Sequence, residues 1–157
     1  MDYILEACVD STASAIAAKR GGAGRLVLCA NLVIGGTTPA EALFCQVKEE
    51  TGLPVRVLMR PRFGDFCYDP WEFQMLLEEA GQFRRLGADG IVIGLLKPDG
   101  SLDVERIKAL MEEGVDTIFA YPGGMVTDIV DELYRQDAIE VVLPRHEQAL
   151  VHEAEGY

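Results

Sequence analysis

Apolar residues fall along this chain in two alternating rhythms. Short β-rich runs recur at YILEACV (3–9), RLVLCA (25–30), PVRVLMR (54–60), GIVIGLL (90–96), DTIFAY (116–121) and IEVVLP (139–144). Between them the spacing turns helical. From about Pro70, the residues Phe73, Leu76, Leu77, Ala80 and Phe83 form one stripe that Gly87 should end. Val104, Ile107, Leu110 and Met111 form another, with Gly114 as its stop. Thr38, Pro39 and Glu41 read as the N-cap, first turn and capping-box partner of a further helix. Strands that alternate with helices predict an α/β fold with a mainly parallel sheet of five or six strands. A doubly wound, three-layer arrangement is the first expectation, with all of residues 1–157 in a single domain.

Composition narrows the function classes. The chain is 49% hydrophobic and 25% charged, which suits a globular domain. A formal net charge of −12 argues against nucleic acid and anionic lipid as partners. No apolar run approaches the length of a membrane span, and the first strand begins almost at Met1, so neither a span nor a leader is expected. The four cysteines, Cys8, Cys29, Cys45 and Cys67, include no CxxC pair. That pattern favours reduced thiols and a cytoplasmic setting over a disulfide framework or a zinc site.

Two sets of words carry resemblances. EACVDS, AAKRGGAGRLVLCANLVIGGTTP, LMRPRFGDFCY and LGADGIVIGLLKPDGSLD stand in order over about residues 1–110. This part resembles the CutC copper homeostasis family, whose fold is a (βα)8 barrel, and covers about four of its βα units. GVDTIFAYPGG, IVDELYR and VVLPRHEQALVHEAEGY, within about residues 112–157, resemble the pyrimidine-binding domain of acetohydroxyacid synthases and related thiamine-diphosphate enzymes. Taken together, the two resemblances imply an engineered chimera joined inside the helix near 103–113, without evolved catalytic activity. A barrel usually needs about 250 residues, so an incomplete or distorted barrel is the alternative fold. Its open edges and inner face imply a homodimer.

Candidate sites follow from these halves. Ile4, Glu6 and Cys8 share a face of the first strand, as Arg25, Val27 and Cys29 do on the second. On adjacent strands, Cys8 and Cys29 would face one interior, and two thiolates suit Cu(I). The CutC resemblance marks the same two positions as metal candidates. Relatives typically carry Asp and Glu where this chain has Gly24 and Val27, which suggests a remodelled, drier inner face. In the second half, the resemblance implies that Glu147 is the glutamate that contacts a thiamine aminopyrimidine ring, near YPGG (121–124). No diphosphate-binding motif accompanies it, so Glu147 is read as vestigial and the chain as needing no cofactor, with Cu(I) as the alternative. His146 and His152 lack the i, i+4 spacing of a helical metal pair. GGTTP (35–39) and PGG (122–124) precede helices and are candidate small-anion sites.

Overall fold

A computed structural model describes residues 4–112, 117–119 and 140–142. Each of the six apolar runs contains a strand. In order the elements are β1 (Glu6–Val9), α1 (Thr12–Arg20), β2 (Arg25–Leu28), α2 (Glu41–Thr51), β3 (Val55–Met59), α3 (Pro70–Arg85), β4 (Gly90–Ile93), α4 (Val104–Glu112), β5 (Thr117–Phe119) and β6 (Glu140–Val142). A short 3-10 turn, Leu32–Ile34, lies between β2 and α2. β1 to β4 form one sheet in sequential order, with every pair parallel. β5 and β6 form a second parallel pair, and β5 runs close beside β4.

Side-chain alternation shows how the layers are arranged. Leu26 and Leu28, Val55, Val57 and Met59, and Ile91 and Ile93 point to one face of the sheet. There they meet Ala15 of α1, Phe44 and Val47 of α2, Leu76, Ala80 and Phe83 of α3, and Ile107 and Leu110 of α4. All four described helices thus cover the same face. A doubly wound sheet would carry helices on both faces and reverse its strand order. The observed sheet does neither, so the barrel-like alternative holds and the three-layer expectation is corrected. The reason is that each helix returns the chain to the next strand in the same direction, without a switch point.

The predicted α3 stripe is the centre of this core. Leu76, Ala80 and Phe83 are buried, with Phe73 and Leu77 packed against them. The Phe83 and Phe44 rings meet edge to face, with centroids 5.5 Å apart at 73°. Such a pair contributes about 0.5–1.5 kcal/mol beyond its area burial. Asp69 caps the helix, accepting from the Glu72 N–H at 2.8 Å while the Glu72 carboxylate accepts from the Asp69 N–H at 2.9 Å. Pro70 occupies the first turn, and Gly87 follows the helix with φ +85°. In α4, Ile107 and Leu110 are buried as the stripe requires, whereas the Met111 side chain and Gly114 lie outside the described residues.

Thr38 does not cap α2. The helix starts three residues later, at Glu41, with Ala40 in the cap position. Thr38 instead clips the chain to the end of β3. Its N–H donates to the Arg60 carbonyl at 2.9 Å, and its hydroxyl oxygen accepts from the Arg60 N–H at 2.9 Å. The pairing between two loops outcompetes the local cap because it satisfies a donor and an acceptor at once.

Candidate functional site

The face of the sheet away from the helices carries the polar chemistry. Parallel register sets Glu6 opposite Arg25 and Cys8 opposite Val27. Cys29 follows β2 immediately, and its N–H donates to the Val9 carbonyl at 3.0 Å. Cys8 and Cys29 are therefore diagonal neighbours on one face, near the C-terminal ends of adjacent strands. Barrel enzymes build their sites at this end. Cys29 is buried and Cys8 half-buried.

The Cys29 thiol is sheltered rather than activated. Its Sγ lies 3.6 Å from the Val9 carbonyl oxygen, as a weak donor. Burial, and secondarily the Asp10 carboxylate, push its pKa up to about 11. It therefore carries its proton at neutral pH, and a metal ion must displace that proton to bind.

A loop folds back over Cys29. Ala30 and Thr37 form an antiparallel bridge, with N–H to carbonyl distances of 2.8 Å in both directions. Between them the chain reverses through Asn31 in the left-handed region, at φ 54° and ψ 46°. Gly36, at φ +82°, sits directly on the thiol, and a Cβ there would lie 3.4 Å from Cys29 Sγ. Arg60 holds this loop from below. Its Nη1 donates to the carbonyls of Ile34 at 3.4 Å, Gly35 at 3.2 Å and Gly36 at 3.2 Å. Its Nη2 donates to the Gly64 carbonyl at 2.7 Å, and the Phe66 ring lies 5.0 Å from the guanidinium. Neither Arg60 nor Gly36 stands out in the sequence as a functional residue. The RPR and GGTTP words that contain them are the only local signal.

Arg60 also changes the picture of GGTTP as an anion site. The N–H groups of Gly35, Gly36, Thr37 and Thr38 donate to the carbonyls of Leu32, Asn31, Ala30 and Arg60 respectively. The N–H groups of residues 35–38 are thus committed within the fold, and the carbonyls of Ile34, Gly35 and Gly36 face the Arg60 cation.

Lower on the same face, Glu6 joins Arg25 Nε directly and lies 3.7 Å from Arg56 Nη1. Glu6 and Arg56 are both buried. The inner face is thus charged where the Val27 substitution suggested dryness. Val27 itself lies in register with Arg56. Among the described residues, no group of three or more His, Cys, Asp or Glu side chains could hold a metal ion. Glu147, His146, His152, YPGG and PGG lie outside the described residues.

An arc of βα units with a thiol pair at its C-terminal end defines a barrel-type α/β protein. The CutC family profile matches residues 3–141. This chain belongs to the CutC family. The "Copper homeostasis protein cutC homolog" of Mus musculus is 43% identical over 109 residues, covering 69% of this chain and 40% of that protein. A CutC family protein of Chromobacterium violaceum is 44% identical over 110 residues, covering 70% of this chain and 44% of the relative. The match thus spans less than half the length of these relatives. A CutC crystal structure from Streptococcus agalactiae superposes with a TM-score of 0.71 at 21% identity, covering 97% of this chain and 94% of that one. That likeness concerns the fold.

The family match corrects the chimera reading. It extends past the helix near 103–113 to residue 141, within the segment likened to thiamine-diphosphate enzymes. One family over residues 3–141 supports neither an engineered fusion nor a thiamine-type domain.

Proposed function

We propose that this chain is a Cu(I)-binding protein of copper homeostasis, with Cys8 and Cys29 as the ligands and binding rather than catalysis as its task. The observation that carries the reading is the placement of these two thiols on one face of neighbouring strands. The copper homeostasis name of the mouse relative supports it. Soft thiolate ligands select Cu(I), and a structural zinc site would call for four ligands. The buried position of Cys29 favours a dehydrated, low-coordinate ion and guards the thiolate against oxidation.

Anaerobic titration with Cu(I) against a competing chromophoric chelator tests the reading. The chain should bind one equivalent. Cys8→Ser and Cys29→Ser should each weaken binding by at least about tenfold, as loss of a first ligand demands. Cys45→Ser, on the exposed side of α2, should bind as the parent does. Binding that survives both ligand substitutions, or no binding by the parent, would overturn it.

A further inference from the structure

We propose that residues 31–36 form a lid over Cys29 and that Arg60 is its latch, so that opening of this loop governs access to the thiol. The inference gives the copper reading a gate and rests on that reading for its purpose. The lid itself is defined by access to Cys29 and stands apart from any metal.

Three observations support it. First, the loop covers its target closely: Gly36 is buried on Cys29, and a Cβ at Gly36 would come 3.2 Å from Cys29 Cβ and 2.5 Å from Leu58 Cδ2. Second, little apolar burial holds the lid down. None of Leu32, Val33 and Ile34 is buried, and Val33 is 96% exposed. Third, polar contacts do hold it. Arg60 donates to three consecutive loop carbonyls, and the Ala30–Thr37 bridge closes the neck. A segment held by hydrogen bonds with few buried apolar contacts belongs to the low-stability end of a fold and opens well below the cost of global unfolding.

The latch is also well seated. Gly64 accepts from its Nη2, and Phe66 covers its guanidinium face. Phe66 in turn packs on Gly94, where a Cβ would come 2.9 Å from the ring. Arg60 therefore ties the loop after β2 to the loop after β3, and a planar fork with several donors is needed to do so. Nη1 serves the loop after β2 and Nη2 the loop after β3, and lysine, with one nitrogen, could not reach both.

Metal-free alkylation with N-ethylmaleimide, followed residue by residue with peptide mass spectrometry, tests the lid. Cys45 is the exposed reference. In the parent, Cys29 should label at least about tenfold more slowly than Cys45, at a rate nearly independent of low urea, as local opening requires. A Cys29 rate that rises with urea along the full unfolding slope would mean that only global unfolding exposes it, and would overturn the lid. Arg60→Met keeps bulk and removes the donors. It should raise the Cys29 rate at least about tenfold while Cys45 stays unchanged, and Arg60→Lys should fall between. A folded Arg60→Met chain with an unchanged Cys29 rate would overturn the latch. Should Arg60→Met not fold, Arg60→Lys decides the latch and the urea slope of the parent decides the lid. A chain that binds no Cu(I) yet shows this labelling pattern loses the copper reading and keeps the lid.

Discussion

Gly36 and Cys29 are in contact across the neck of a loop, at a distance where a Cβ on Gly36 would press on the Cys29 side chain at 3.2 Å. The glycine is required twice, for space and for its φ of +82°. Gly36→Ala should therefore destabilise the fold by about 1–3 kcal/mol, the usual cost of backbone strain of this kind. Urea denaturation measures it. A change under about 0.5 kcal/mol would mean that the loop moves aside without cost.

The Cys29 thiol links stability to alkaline pH. Its pKa rises from 9.0 to about 11, through burial first and Asp10 second. Between these values the unfolded chain releases the proton and the folded chain keeps it. The stabilising contribution is complete below pH 9.0 and is lost as pH rises through about 11. Thermal melts across this window should show the parent losing stability more steeply than Cys29→Ser, which has no thiol to titrate. Parallel slopes for the two proteins would contradict the assignment.

Glu6 holds two guanidiniums on the inner face, Arg25 and Arg56. Removing the carboxylate leaves Arg56 as an uncompensated buried charge. Glu6→Ala should cost about 3–5 kcal/mol, the range for breaking one side of a buried pair. Chemical denaturation reads this directly. A loss below about 1 kcal/mol would show that water already solvates the Arg56 guanidinium.

Asp69 is the cap of α3, the longest of the described helices, and has no role in the proposed site. Asp69→Ala removes the acceptor for the Glu72 N–H and should cost about 1 kcal/mol. Cu(I) affinity should not change. A large fall in affinity without a matching loss of stability would place the loop before α3 in the binding site.

The sequence by itself determined the elements. All six apolar runs contain strands, and the Phe73–Phe83 stripe is the buried face of α3, because alternation and helical spacing record directly which side of an element leaves water. It also marked Cys8 and Cys29, since a period of two decides which residues share a strand face. Only the tertiary structure decided that β1 to β4 keep a sequential order with the four described helices on one side, because local pattern says that a strand is buried and not which strand lies beside it. Thr38 departs from its expected cap role for a related reason: its partner, Arg60, is distant in the chain and reaches it only when β2 and β3 pair. The Arg60 latch depends on the same pairing, which brings its guanidinium under carbonyls 24 to 26 residues earlier. Such contacts leave no periodic trace, because they join loops whose approach is set by the packing of the strands that precede them.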